Sequence, residues 1–278
     1  MSTPPSFKLD PTIFNADFYK RMADFWFSGV DTTGRSFETN TMHRWFGAGS
    51  PDEKRSFDDA CRVIASPALS SISPTHFPNP TAQPFLDELA RVHNEGTGMC
   101  TTHDEDVAWT ALALVLLLDQ MPRNLFRAGE GLRSVYMHYD KMSYALASTL
   151  ITTPSLPFPR PDKHPLFSRS AAHRSWFFMP LMHSEDPAAH DLLAAEVASF
   201  RAEWEGMQDV DGSRTLMERF HEAAMTHRDI VEKFGRYPHR NVAMGRTSTP
   251  EELEFLDNGG PTFGVVVEKE AGGEGASS

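Results

Sequence analysis

The stretch Asp104-Glu-Asp-Val-Ala-Trp-Thr-Ala-Leu-Ala-Leu-Val-Leu-Leu-Leu-Asp-Gln-Met121 decides the fold class. From Val107 to Leu118 it is apolar almost all round, and it is rich in Ala and Leu rather than in the β-branched residues that favour strands. It therefore reads as a central buried helix. The run falls well short of the roughly 20 apolar residues that a membrane span requires. Pro122 predicts the end of this helix.

Outward from this segment the pattern stays helical. Phe14, Phe18, Met22 and Phe25 keep helical spacing and predict an opening helix over Pro11 to Ser28, with Asp10 as N-cap and Pro11 in the first turn. Asp52 to Ile64 reads as a charged helix, and Ala65 to Pro80 as an inserted Ser/Pro-rich loop. Helices are expected over Ala82 to His93, Leu132 to Leu150 and Ser168 to Met182; the five prolines of Thr152 to Pro165 make that stretch irregular. From Pro187, the residues Leu193, Val197, Phe200, Trp204 and Met207 form an apolar face, with Glu196, Glu203 and Glu205 toward water. A further stripe from Leu216 to Phe234 includes His227 and stops at Gly235. Thr249-Pro-Glu-Glu252 is a capping box that opens a last helix ending near Leu256. Period-two alternation is absent from Met1 to Gly260, so the expected fold is all-α, with stacked antiparallel helix pairs forming a bundle or a solenoid. The expected organisation is one helical domain over 10–260, an N-terminal extension over 1–9 and a largely disordered tail over 261–278.

A net charge of −12 over 278 residues argues against nucleic acid as the main partner. Cys61 and Cys100 are too few for a disulfide framework and suit a reducing compartment. With neither an export signal nor a membrane segment, cytoplasmic residence is the expectation.

Three polar segments interrupt this apolar pattern at helix ends: Asp119-Gln-Met-Pro-Arg-Asn124, His183-Ser-Glu-Asp186 and Arg236-Tyr-Pro-His-Arg-Asn241. Each has a purely structural explanation. Asp119, Arg123 and Asn124 can form a salt-bridged helix terminus, or face a wet cavity, because an unpaired buried charge costs several kcal/mol. Ser184 or Asp186 can cap the helix at Pro187, which leaves His183 and Glu185 unexplained. His227 can be a satisfied core histidine. Arg236, Arg240 and Asn241, with His239, can tie down a loop or clamp a carboxylate or phosphate, to which arginine offers a planar donor fork. In an acidic chain, Arg123, Arg127, Arg228, Arg236, Arg240 and Arg246 all fall in or beside these segments, so the local field can be positive.

Leu117 to Arg127, Met182-His-Ser-Glu-Asp186 and His227 to Asn241, followed by Gly245-Arg246 and Ser248 to Glu252, resemble the DUF924 family in order and spacing. Trp45-Phe-Gly47 resembles its early tryptophan motif. The resemblance runs from about the first helix to Leu256 and implies a tetratricopeptide-repeat-like helical fold without implying an activity. Met121 stands where the family commonly has Phe.

The reading that follows is a pocket for a small anionic or polar molecule, anchored by arginines, with His183 as acid/base and Glu185 orienting it. His227 and His239 are the further candidates for chemistry. No nucleotide fingerprint is present, so the chemistry would be non-redox, and no cofactor is readable. Two alternatives stand beside it: a non-catalytic helical-repeat adaptor for a peptide or protein, and a metal-dependent enzyme using His183, Glu185, His227 and His239.

Overall fold

Residues 11–14 turn before any helix begins, because the Asp10 carboxylate accepts hydrogen bonds from the Thr12 backbone N–H (2.8 Å) and hydroxyl (2.7 Å). Asp10 thus forms a local turn rather than the expected cap. Asn15 caps the first helix, α1 (Ala16–Trp26), by accepting from the Phe18 N–H. The computed structural model describes residues 7–30, 39–203, 205 and 213–265. Trp204, Met207, residues 1–6 of the N-terminal extension and residues 266–278 of the tail lie outside the described residues.

The chain continues through α2 (Thr39–Trp45), α3 (Pro51–Ser71), α4 (Gln83–Glu95) and α5 (His103–Leu125). Next come α6 (Gly129–Ser134), a π-helical turn (Val135–Tyr139) and α7 (Asp140–Thr152), then α8 (Ala171–Met182), α9 (Pro187–Glu203), α10 (Ser213–Phe234), a 3-10 turn (Pro238–Arg240) and α11 (Pro250–Asp257). The described residues contain no strand, so the fold is all-helical. Consecutive pairs α4–α5, α8–α9 and α9–α10 pack on each other, and α5 is shared more widely, touching α1, α3, α7 and α8 as well. The all-round apolarity of Val107 to Leu118 follows from that position: each of these residues except the half-buried Trp109 is buried.

Two helices run on past prolines expected to lie beyond their ends. α3 runs on through Pro67 to Ser71, so Ala65 to Ser71 is helix and the loop begins only at residue 72. Pro67 sits on the exposed side, whereas Cys61, Ala65, Ala68, Leu69 and Ile72 are buried along one face. Packing of that face outweighs the roughly 3 kcal/mol that an interior proline costs. α5 likewise passes through Pro122 to Leu125, with Met121 and Leu125 both buried. Glu203 and Glu205 are exposed, as expected, whereas Glu196 is largely covered; Glu196 holds Arg160 and Glu203 holds Arg174, which ties the proline-rich stretch and α8 to α9. Phe7 stacks on Phe77 with ring centroids 4.2 Å apart, so the described part of the N-terminal extension packs on the body.

Candidate functional site

Because α5 continues past Pro122, Arg123 and Asn124 lie on a helical turn rather than in a loop. Each bends its side chain back onto the carbonyl four residues earlier: Arg123 donates to Asp119 O (2.7 Å) and Asn124 to Gln120 O (2.9 Å). Arg123 also forms a two-pronged pair with Asp140 at the start of α7, at 2.7 and 3.0 Å. A guanidinium has five N–H groups, and Arg123 uses three of them in this way, leaving two.

His183 caps the C-terminus of α8, and its orientation comes from Asp119, not Glu185. Its Nδ1–H donates to Asp119 Oδ1 at 2.8 Å. A carboxylate only accepts, so the proton sits on Nδ1 and Nε2 keeps its lone pair. Asp119 is buried and also accepts from Gln120 (2.5 Å) and Ser143 (3.3 Å). Burial alone would raise its carboxyl, but the charge His183 carries once protonated, the Arg123 charge, and the hydrogen bonds from His183 and Gln120 hold it well below the usual carboxylate range. Burial, reinforced by the Arg123 charge, lowers His183, so its imidazole is neutral near pH 7.

Glu185 does different work. It accepts both prongs of Arg246 (2.6 and 2.9 Å) and the Tyr237 backbone N–H (2.9 Å). Arg246 in turn donates to Asn241 Oδ1, and Asn241 donates to Glu252, which also takes both prongs of Arg236. Glu252 is the acidic member of the Thr249 capping box, so the start of α11 anchors the 236–246 segment. Arg236, Asn241, Arg246 and Glu185 therefore form a clasp that positions the site without facing it. Arg228 lies apart, paired with Asp191 and Glu232.

The clasp presents His239 and Arg240 inward, both nearly buried at 5% and 6% exposure. Arg240 is sandwiched between Tyr136 and Tyr237, each ring centroid 4.5 Å from its guanidinium carbon. The π-helical turn and the first residue of α7 set this up by placing Tyr136 and Asp140 around the same guanidinium. Asp140 approaches Arg240 only to 3.5 Å, and among the described residues neither Arg240 Nε nor His239 Nδ1 has a hydrogen-bond partner. Burial, joined by the Arg240 charge, pushes His239 down to about 2; burial pushes His227 down to about 3 despite its hydrogen bond to Ala223 O.

These groups meet at a cleft with two lobes. The larger, about 640 Å³, is lined by the apolar Trp45, Phe46, Trp176, Met179 and Phe220 and by the polar Gln120, Arg123, Asn124, Arg127, His183 and His227, with the exposed Arg219 also bordering it. The smaller, about 180 Å³, is lined by Arg123, Arg127, His183, His227, His239 and Arg240 together with Tyr136. Among the described residues, neither lining includes a carboxylate. Phe263 and Gly264 border both lobes, and the Phe263 ring stacks on His227 at 3.8 Å and 20°. Phe263 is the one non-glycine with positive φ among the described residues (53°), a conformation costing on the order of 1 kcal/mol for a bulky side chain. Phe263 to Val265, within the stretch expected to be largely disordered, thus lie against the site.

The structure brings Asp119, Arg123, Asn124, Arg127, His183, His227, His239 and Arg240 together and leaves Glu185, Arg228, Arg236, Asn241 and Arg246 off the cleft wall. Asp119 stands behind His183 rather than on the wall. His183, Glu185, His227 and His239 do not form a ligand set: among the described residues no three His, Cys, Asp or Glu are arranged to hold a metal ion. The reading from sequence missed Tyr136, Asp140, Trp176, Arg219 and Phe263. Tyr136 and Asp140 lie inside a long helical stretch with no local mark, and Phe263 sits among Gly and Pro.

Fold and site together define an all-helical protein with an arginine- and imidazole-lined cleft. The family model described as "Bacterial protein of unknown function (DUF924)" matches residues 22–260, and the chain belongs to this family. A solved structure of a protein of unknown function from Agrobacterium tumefaciens is similar in fold, at 24% identity and a TM-score of 0.50, over 88% of this chain and 99% of that one. No curated protein matches the chain. Among the described residues, no helix is long and apolar enough to cross a membrane.

Proposed function

We propose that the two-lobed cleft binds a small anionic molecule and that His183 moves a proton on it. One observation carries this reading: in a chain of net charge −12, Arg123, Arg127, Arg219 and Arg240 border the cleft with His183, His227 and His239, and no carboxylate of the described residues faces it. Such a wall concentrates positive potential where low-dielectric surroundings screen it least. A volume of about 640 Å³ in the larger lobe suits a metabolite-sized ligand.

Within the site, the neutral imidazole of His183 accepts a proton from the ligand at Nε2. The Asp119 carboxylate, fixed by Gln120 and Ser143, then stabilises the imidazolium. Arg123 and Arg240 hold the ligand's negative charge, including charge that develops as the proton leaves. The reading supports non-redox chemistry that starts with proton abstraction.

Nitrogen-15 NMR of labelled histidines, with titration by inorganic phosphate, tests both halves. The expected spectrum has His183 as the Nδ1–H tautomer with a pKa below 6.5, and phosphate shifts the His183 and His239 resonances. An Nε2–H tautomer removes the base, and resonances indifferent to phosphate remove the anion site.

A further inference from the structure

We infer that the ligand is an aromatic oxyanion, its charged head in the Arg240 lobe and its ring in the aromatic lobe, on the seat over His227 that Phe263 now holds. This rests on the anion reading above and names the chemical class that the same cleft selects.

The head position follows from what Arg240 lacks. Arg127 makes a two-pronged pair with Asp58, and Arg123 one with Asp140. Arg240 is 6% exposed and reaches Asp140 only at 3.5 Å; among the described residues it makes no carboxylate hydrogen bond and leaves Nε without an acceptor. A buried guanidinium whose carbon lies over two tyrosine rings, 4.5 Å from each centroid, is preorganised for the planar fork of a carboxylate or phosphate. The smaller lobe, about 180 Å³, has room for one such group and little else.

The body position follows from the second lobe. Trp45, Phe46, Trp176 and Phe220 give it ring faces, and Met42, Met179 and Met182 give it polarizable side chains that adapt to a ring edge. Phe46, 51% exposed, stacks on Trp176 with ring centroids 6.1 Å apart, so the aromatic lobe opens to solvent on that side. Between the lobes Phe263 already shows what the seat accepts. Its ring lies flat on His227, in ring contact with His239 as well (5.4 Å), on a backbone carrying a positive φ. At 41% exposure it is covered only in part, so a ligand ring can take its place without opening the core.

Isothermal titration of the full chain with inorganic phosphate, cyclohexyl phosphate and phenyl phosphate tests the assignment. Phenyl phosphate is expected to bind about tenfold or more tighter than inorganic phosphate and more tightly than cyclohexyl phosphate, because ring stacking adds to area burial. Phe263→Ala is expected to tighten phenyl phosphate by about threefold to tenfold, and inorganic phosphate by less. Phenyl phosphate no tighter than cyclohexyl or inorganic phosphate overturns the aromatic class, while phosphate binding that Arg240→Met abolishes would keep the anion reading standing. Binding of none of the three overturns both. Circular dichroism melting of each variant confirms that a lost signal is not lost fold.

Discussion

Acidification from pH 7 to pH 5 should remove about 6 kcal/mol of folding stability through three buried histidines. Burial pushes His173 down to about 4, His227 to about 3 and His239 to about 2, and all three are less than 10% exposed. In the unfolded chain each returns to roughly 6.5, so below that pH the unfolded state takes up protons that the folded state refuses. Stability is therefore lost as pH falls through 6.5 and continues to fall until the folded values are reached. Between pH 7 and pH 5 each histidine contributes about 1.9 kcal/mol of that loss, at roughly 1.36 kcal/mol per pH unit once below 6.5. Asp119, Glu185 and Glu252 are held below their ordinary range, so their stabilisation persists down to about pH 4 and is lost only beneath it. The window from pH 5 to pH 7 thus isolates the histidines. Urea unfolding at pH 7, 6, 5.5 and 5 reads the slope, and His239→Gln should lower it by about one proton. A slope below one proton between pH 6 and pH 5, or an unchanged slope in the variant, refutes the argument.

Three further perturbations probe the support of the cleft. Asp119→Asn should cost about 2 kcal/mol, because one of the donors from His183 and Gln120 then meets an amide N–H instead of an acceptor, and NMR should show His183 losing its fixed tautomer. Glu185→Gln should cost about 3 kcal/mol in urea unfolding by leaving Arg246 without its carboxylate, and should broaden the His239 resonance as the clasp loosens. Pro67→Ala, at an exposed position inside α3, should raise stability by about 1 kcal/mol by restoring a backbone donor; a lower denaturation midpoint would mean that the proline's bend is required by the packing of Ala65, Ala68 and Leu69.

What the sequence made legible follows from which interactions are local. Val107 to Leu118 announced a buried helix because every face of α5 is covered, and Thr249 to Glu252 announced a cap because capping closes within four residues. The prolines misled in the opposite direction: Pro67 and Pro122 look like stops locally, and only tertiary packing keeps their helices going. In the site, polar groups at helix ends were recognisable as needing partners, but which partner was not. His183 and Glu185 are two residues apart, which suggested a pair, whereas the observed partner Asp119 lies 64 residues away. Glu185 instead reaches 61 residues forward to Arg246. Spacing cannot reveal pairings set by the docking of α5 against α8. Phe263 carried no signal because its contact with His227 on α10 is set by tertiary packing rather than by local pattern.

Whether the cleft is a binding site or a folded-in charge network turns on Arg240, because the two cases predict opposite stabilities. Arg236 and Arg246 have two-pronged carboxylate partners, as Arg123 and Arg127 do. Removing Arg123 or Arg246, whose pairs are largely buried, strands a carboxylate and costs about 3 kcal/mol, and the more exposed Arg127 costs about 1 kcal/mol or less. Arg240 strands nothing, since Asp140 keeps its bonds to Arg123. Replacing a buried, underpaired cation by an apolar chain of similar length removes a desolvation penalty, and a methionine between Tyr136 and Tyr237 recovers part of the lost ring contact. Arg240→Met should therefore stay within about 1 kcal/mol of the parent stability in urea unfolding while losing phosphate binding. A loss above about 3 kcal/mol would mean that Arg240 holds the fold together. A retained stability with phosphate binding gone would mean that the chain carries a buried charge its own fold does not need, kept ready for a charge supplied from outside.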